Sequence, residues 1–574
     1  MRIYISHEGY IKDGLKFAVI ELGSPKKLEK SYFLIDEDGS KVYEMNPDEP
    51  VQVANWKKGA YFSRVDFSSF CKTGRFAISS SGGMRSEFFT IGEKFAENAL
   101  DDIVFYLKGQ RCSGVYDAAD RKLPVYGSDE TYDVHGGWYD AAGDYGKYLS
   151  HLAYARYMSP QQTPLVVWSL LSGLDILKSS GYPKESLNRM QEEALYGADF
   201  LMRMQHPNGF FFMIVFARWS HDPAQRELCS YETQKGIKTA DYQAGFREGG
   251  GMAIAALARA AGIGTGLDFS SGEYLAAAEK GYQHLKEKNT EYVYGGEENI
   301  IDEYCALTAA AELYAVSKNS KYLAEIKGWY AKLKSRWQAD GWFKADSKGE
   351  RSFFHASDYG LLYMSILRAS SVIEDLEDAE YSALSQDMKD FVVGCLKKEL
   401  ERITSIDNPF MLPLHFVRTE NYNDRLMFFF PHKNESGYWW QGENARLASL
   451  SAALLAMRSN LTSVVATESF IRKLREHAES LIYWILGLNP FDVCMMQGRG
   501  RNNPRYEEGF PNAPGGVCNG ITSGFYNEDD IAFLPLPEAN DMAQRWRWSE
   551  QWIPHGAWLF LALSYYYALG GKKQ

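Results

Sequence analysis

Glu93-Lys-Phe-Ala-Glu-Asn-Ala-Leu-Asp-Asp-Ile-Val-Phe-Tyr-Leu107 is where this chain changes its hydrophobic period. Apolar residues recur there at i, i+3, i+4 and i+7, the spacing that lines one face of an amphipathic helix. Upstream, the runs Phe17-Ala-Val-Ile-Glu21, Ser31-Tyr-Phe-Leu-Ile35, Val51-Gln-Val-Ala54, Ala60-Tyr-Phe62 and Gly74-Arg-Phe-Ala-Ile78 alternate or are β-rich. Turn formers such as Asp36-Glu-Asp-Gly39 and Ser81-Gly-Gly83 separate them. Strands at this spacing predict a β-sandwich over residues 1–90, a structural module with no cluster of catalytic residue types.

Downstream the helical period persists near 147–158, 164–179, 186–204, 247–262, 271–287 and 301–317. It continues near 320–337, 357–374, 379–401, 442–458, 465–487 and 554–568. About a dozen helices without a comparable strand-rich stretch predict an α/α toroid over 91–574. No sharp internal repeat is visible, which disfavours a solenoid. The fold class is therefore multi-domain, β then α.

Long connections at 108–146, 205–246, 402–441 and 488–553 are rich in aromatic and polar residues. They hold Phe210-Phe-Phe212 with Trp219, Phe428-Phe-Phe430 with Trp439-Trp440, and Trp546, Trp548 and Trp552. Structural loops are usually short, and loops on a rigid scaffold carry function. The four together predict the walls of one cleft.

Composition narrows the classes. The 574 residues are 45% hydrophobic and 24% charged, which describes a folded chain with ample core. A net charge of −12 without a basic face argues against a nucleic-acid or anionic-membrane partner. The 37 Tyr and 14 Trp suit carbohydrate handling, although a large helical core also absorbs rings. No signal peptide is read at Met1–Tyr10, and no apolar run of membrane-spanning length is seen. Seven scattered cysteines form no C-x-x-C pair, so neither a disulfide framework nor a zinc site is expected. A reducing cytoplasm is the simplest compartment. The eleven histidines show no metal-ligand spacing, and no dinucleotide, Walker or G-x-S-x-G pattern occurs, so no metal or cofactor is expected. Gly249-Gly-Gly251 reads as a site of close helix packing. Oligomeric state is not legible.

Two stretches concentrate chemistry. Asp133-Val-His-Gly-Gly-Trp-Tyr-Asp-Ala-Ala-Gly-Asp-Tyr-Gly-Lys-Tyr148 sets Asp140 and Asp144 beside glycines and the rings of Trp138, Tyr139, Tyr145 and Tyr148. Rings that stack on sugar C–H faces, with carboxylates that move protons, are what glycoside chemistry needs. The rival reading is an Asx-rich loop capping a helix that starts near Lys147. Near the other end, Glu550 sits among Trp546, Trp548 and Trp552. Desolvation there would keep it protonated as an acid. A salt bridge to Arg545 or Arg547 would instead keep it ionised.

Gly136-Gly-Trp-Tyr-Asp-Ala-Ala-Gly-Asp144, Gly487-Leu-Asn-Pro490 with Gly498-Arg-Gly-Arg-Asn-Asn-Pro504, and Trp548-Ser-Glu-Gln-Trp-Ile-Pro554 together resemble glycoside hydrolase family 9 over essentially the whole chain. The resemblance implies an immunoglobulin-like β-sandwich followed by an (α/α)6 barrel. It also implies an inverting mechanism, with Asp144 as general base, Asp140 helping to hold the water, and Glu550 as general acid. Trp138, Tyr139, Trp548 and Trp552 become candidate substrate-binding residues.

Two departures bear on substrate. The first motif carries an extra alanine, D-A-A-G-D, so Asp140 and Asp144 stand four apart where the family has three. The family's cellulases also continue the middle motif into P-H-H-R, whereas this chain reads Pro504-Arg-Tyr-Glu-Glu508. Loss of that histidine pair points away from an ordinary cellulase. It points toward a cationic sugar whose ammonium meets Asp140, Glu507 or Glu508. The D-A-A-G-D and W-S-E-Q-W variants resemble the family's exo-β-glucosaminidase branch, which implies release of glucosamine from short chitosan oligosaccharides. The alternatives are an endo-β-1,4-glucanase or cellodextrinase, a carbohydrate-binding protein on a hydrolase scaffold, and a helical interaction scaffold.

Overall fold

The computed structural model describes residues 1–151, 157–158, 160–438, 441–461 and 467–571. Eight N-terminal strands form two sheets. They are β1 (Arg2–Tyr4), β2 (Tyr10–Ile11), β3 (Phe17–Leu22), β4 (Tyr32–Ile35), β5 (Lys41–Met45), β6 (Tyr61–Asp66), β7 (Gly74–Ser80) and β8 (Phe89–Gly92). One sheet has the order β1-β3-β6 and the other β2-β8-β7-β4-β5. Neighbours are antiparallel except β2 and β8. Strand β3 is buried at five of its six positions, which its near-continuous apolar sequence anticipates.

The helices are α1 (Ala99–Gly109), α2 (Gly114–Asp120), α3 (Thr163–Ser179), α4 (Lys184–Arg203), α5 (Gly251–Ala261), α6 (Ser271–Tyr292) and α7 (Ile300–Ser317). They continue as α8 (Lys321–Ser335), α9 (Leu361–Ile373), α10 (Ala379–Ile403), α11 (Asn444–Asn460), α12 (Glu468–Ile485), α13 (Met542–Ser549) and α14 (Ile553–Gly571). Helices α3, α5, α7, α9, α11 and α14 pack each on the next and close a ring. Outside it, α4 lies on α3, α6 on α5, α8 on α7, α10 on α9, α12 on α11, and α1 on α14. The result is an α/α barrel of six helices within six.

The two rings differ in pattern for a physical reason. Inner helices touch protein on every side, so α7 is buried continuously over Ile300–Tyr314 and α11 over Asn444–Met457. Outer helices such as α4 keep a polar face. Inner helices are also tied by charge. Glu312 on α7 is completely buried and accepts from Trp168 of α3 at 2.9 Å, Arg259 of α5 at 2.6 Å and Arg368 of α9 at 2.8 Å. The Gly-Gly-Gly run behaves as its sequence predicts. Gly249 has φ +101°, and a β-carbon there or at Gly251 would meet Leu149 or Cys305.

The sandwich is fixed to the barrel through α12 and the loop after it. Tyr10 meets Tyr483 edge-on at 5.2 Å, Tyr483 Oη donates to Leu15 O at 2.9 Å, and Tyr4 Oη donates to Pro490 O at 2.9 Å. Arg499 closes a salt bridge to Glu8 at 2.6 Å.

Three expectations change. Residues 147–148 are a strand, not a helix start, and 152–156 lie outside the described residues. Connection 205–246 contains Ile214–Phe216, Glu227–Glu232 and Ile237–Thr239, which join Lys147–Tyr148 in a four-stranded sheet. β-Branched and aromatic residues there satisfy backbone groups that a long bare loop would leave unpaired. The short helices α2 and α13 lie in connections read as loops.

Candidate active site

The loop before the Lys147–Tyr148 strand is shaped by glycines. Gly136, Gly137 and Gly143 have φ of +80°, +75° and +86°. At Gly137 a β-carbon would lie 2.6 Å from the Phe200 ring, and at Gly143 it would run into Phe510. Only glycine meets both demands at little cost.

Beneath the loop lies a fully buried charge cluster. Asp120, at the end of α2, receives Arg226 Nε at 2.7 Å and Lys147 Nζ at 2.7 Å. Lys147 also donates to Val134 O and Gly136 O, both at 2.7 Å, and Arg226 donates to Tyr145 O at 2.5 Å. Two cations thus hold the loop's carbonyls from below while a single carboxylate balances part of their charge. The Arg226 and Lys147 charges hold the Asp120 carboxyl below its usual range despite its burial.

Above that cluster the two ends of the chain meet. Ile553 N donates to Asp140 O and Ala142 N to Gln551 O, both at 2.9 Å. Glu550 follows α13 directly, and its carbonyl accepts from Asn519 N at 2.8 Å. Asp140, Asp144, Glu550 and Trp552 consequently line one cavity of about 470 Å³. His151, Tyr231, Trp219, Tyr506 and Trp546 also face it.

The three carboxyls differ in environment. Asp140 is 1% exposed and, among the described residues, accepts no hydrogen bond from any N–H or O–H. Burial, then the neighbouring charges of Asp144 and Glu550, push it well above the carboxylate range. A proton kept on Asp140 can be shared with Asp144, which raises the first acid and steadies the second. Asp144 is half-buried and accepts from Gly146 N at 2.7 Å and Tyr148 Oη at 3.3 Å. Burial raises it too, and those donors with Arg226 pull it back. Glu550 is raised well above its ordinary value, first by burial and next by the Asp144 charge. Tyr506 Oη stands 3.5 Å from its Oε1. Arg545 donates to Arg505 O and Ala539 O, while Arg547 donates to Gln544 and stacks on Trp546. The guanidiniums offered as ion-pair partners for Glu550 therefore point elsewhere. The arrangement sets a carboxyl raised by burial, Glu550, and one steadied by donors, Asp144, in the same cavity.

Other sequence candidates are separated from this cavity. Trp138 is core: its ring packs into the space left by Gly197, and its Nε1 donates to Glu193 at 2.7 Å. Tyr139 is buried behind the loop, where its hydroxyl accepts from Ser113 N at 3.2 Å and its ring meets Tyr145 edge-on. Trp548 is fully buried and donates to Thr522 Oγ1 at 2.9 Å. Glu507 and Glu508 line an adjoining depression of about 670 Å³, which shares Tyr506 and Met542 with the cavity. Phe210–Phe212 and Phe428–Phe430 are core, and Trp439-Trp440 lie outside the described residues.

Residues that the sequence did not single out complete the site. Tyr231 Oη lies 3.0 Å from His151 Nδ1, and the His151 ring lies 5.1 Å from Trp552. His151, seven positions after Asp144, had no motif to mark it, and Tyr231 arrives from a sheet invisible as a pattern. Lys147 carried a signal: a lysine three residues beyond Asp144, inside an otherwise aromatic and glycine-rich stretch.

Comparison with solved structures adds independent support for the fold. A metagenome-derived glycoside hydrolase family 9 endoglucanase aligns at TM-score 0.65 and 18% identity, with 99% of each chain covered. A Bacteroides ovatus GH9 protein aligns at TM-score 0.69 and 16% identity, again covering 99% of each chain. A thermostable endoglucanase from Alicyclobacillus acidocaldarius aligns at TM-score 0.65 and 16% identity, covering 98% of this chain and 99% of that one. No curated protein matches by sequence. The family model described as glycosyl hydrolase family 9 matches residues 97–507, from α1 through the loop that carries Tyr506. The chain belongs to glycosyl hydrolase family 9 and is a glycosidase that hydrolyses O-glycosyl bonds.

Proposed function

We propose that this enzyme is an inverting exo-β-D-glucosaminidase that releases glucosamine from the non-reducing end of short chitosan oligosaccharides. Asp144 is the general base: it takes a proton from water as that water attacks the anomeric carbon. Glu550 is the general acid: it gives its proton to the glycosidic oxygen as the C–O bond breaks. Inversion requires room for water between base and sugar. The observation that carries this assignment is the contrast in one cavity between Glu550, pushed well above its ordinary range by burial, and Asp144, which accepts from Gly146 N and Tyr148 Oη.

The amino-sugar reading rests on Asp140. Its oxygens lack protein donors, so an ammonium would supply the hydrogen bonds and charge they need. Glu507 and Glu508 line the adjoining depression, where further glucosamine units of the leaving chain would find carboxylates. A cavity of about 470 Å³ suits a short ligand. The sandwich is read as the family's immunoglobulin-like module, in a bracing role. A reducing cytoplasm fits seven free thiols, six of them buried. The second reading is an endoglucanase or cellodextrinase, favoured by the endoglucanases among the similar structures.

The test compares fully deacetylated chitobiose with cellobiose on the purified enzyme, following the first-formed anomer by NMR. Faster glucosamine release with the α-anomer appearing first is expected. Preference for cellobiose overturns the amino-sugar reading, and a β-anomer appearing first overturns inversion.

A further inference from the structure

We propose that Asp140, Asp144 and His151 form a binding site for one transition-metal dication of the Zn2+ class, and that its occupation switches the enzyme off. One ligand atom from each residue, two carboxylate oxygens and an imidazole nitrogen, lies within 4.8 Å of the other two. Two oxygens and one nitrogen form the three-ligand set that holds zinc while leaving a position open toward the cavity. An imidazole ligand and so few oxygens disfavour Ca2+ and Mg2+, which demand six or more oxygen ligands.

The site has what a bare acidic pair lacks. Asp140 is 1% exposed, faces the cavity and, among the described residues, accepts no hydrogen bond from any N–H or O–H. The nearby cations are committed below the loop, since Lys147 and Arg226 both bind Asp120. His151 is 6% exposed, with its Nε2 3.7 Å from Asp140 Oδ2. The Tyr231 hydroxyl stands 3.0 Å from Nδ1 and 3.2 Å from Nε2, and Trp552 packs against the ring. A hydroxyl that accepts from the N–H of one ring nitrogen leaves the other nitrogen's lone pair for a metal, the usual outer-shell device.

The inhibitory half rests on Asp144 being the base, because an oxygen bound to metal cannot take a proton from water. The binding half does not depend on that reading or on the identity of the sugar.

Calorimetric titration of the metal-free full chain with Zn2+, repeated with Co2+ for its visible absorption band, tests both halves. One ion per chain is expected in the wild type. Asp140→Asn and His151→Gln should each weaken binding at least tenfold. Asp133→Asn, at the exposed Asp133–His135 pair, should leave it unchanged. Anomalous diffraction from Zn2+-soaked wild-type crystals serves independently of how the variants fold, with a peak expected among the three residues. Unchanged affinity in folded variants, or a sole peak elsewhere, overturns the site. A bound ion at this site that leaves hydrolysis untouched overturns the inhibition, and with it the role of Asp144. Failure to cleave glucosaminides leaves the binding result unaffected.

Discussion

The main-chain carbonyl of Asp140 accepts a hydrogen bond from the amide of Ile553 at 2.9 Å, although the two residues lie 413 positions apart in the sequence. With the Ala142–Gln551 bond beside it, this makes the Asp144 loop and the Glu550 loop a short antiparallel pair. The spacing between Asp144 and Glu550 is thus set by backbone geometry, which is stiffer than any side-chain contact between them. Proximity of this kind is useful only when it is held to within a fraction of an ångström.

If Asp144 and Glu550 act on one bond as proposed, their removal should not be additive. Glu550→Gln and Asp144→Asn are each expected to lower kcat by about 10²–10⁴. The double variant should be little worse than the poorer single one. Steady-state kinetics on an unactivated oligosaccharide checks this. An aryl glycoside with a good leaving group should recover much of the Glu550→Gln loss and little of the Asp144→Asn loss.

The pH profile should be bell-shaped, with the sign set by the environments. In the proposed mechanism Asp144 works ionised and Glu550 protonated, so activity falls at low pH as Asp144 gains a proton and at high pH as Glu550 loses one. Asp144→Asn removes a negative neighbour that raises Glu550. The Glu550 titration, followed by carboxyl 13C NMR in the free enzyme, should therefore move to lower pH in that variant.

Trp138 and Trp552 share a residue type and should separate cleanly. Trp138→Phe leaves Glu193 short of an indole donor in the core and should cost about 1–3 kcal/mol of stability. Its kcat/KM should change little once the variant is folded. Trp552→Ala, in the cavity wall, should cut kcat/KM by tenfold or more. Denaturant titration and kinetics on both variants decide the matter.

Acid stability should report the inner ring. Burial alone would raise Glu312, but Arg259 and Arg368 outweigh it and hold its carboxyl at about 2. A depressed folded value means stabilisation that is complete above the unfolded value, near 4.3, and lost as pH falls toward 2. Glu312→Gln removes the shared carboxylate of Arg259, which keeps Asp175, and of the partly exposed Arg368, and should cost about 1–3 kcal/mol at neutral pH. It should also flatten the fall in stability across that acid window, as measured by urea unfolding.

Much of this architecture is legible without coordinates. A period near two gives way to a helical one at Glu93, and outer helices such as α4 announce their inward face. Inner helices do not, because a helix touched on every side has no polar stripe from which to read its neighbours. Ring closure by α14 packing on α3 is therefore tertiary information. The same holds at the site. Glycines, paired acids and a late Glu550 are visible as local composition, since backbone freedom and proton chemistry reside in single residues. Whether a tryptophan beside an acid walls a cleft or fills a core is not local. Trp138 turns toward Gly197 and Glu193, which a neighbouring helix supplies. Asp120, Arg226 and Lys147 form a cluster only because α2, the Glu227–Glu232 arm and the strand after the loop converge.

The change from strand period to helical period, the family resemblance and the carboxyls that the resemblance casts as acid and base were legible in the sequence alone, since these depend on short-range pattern and residue chemistry. Only the tertiary structure decided which rings face the cavity, that His151 and Tyr231 belong to it, and that Asp140 has no donor of its own. Burial and hydrogen bonding are properties of the packed neighbours, and those neighbours come from distant parts of the chain.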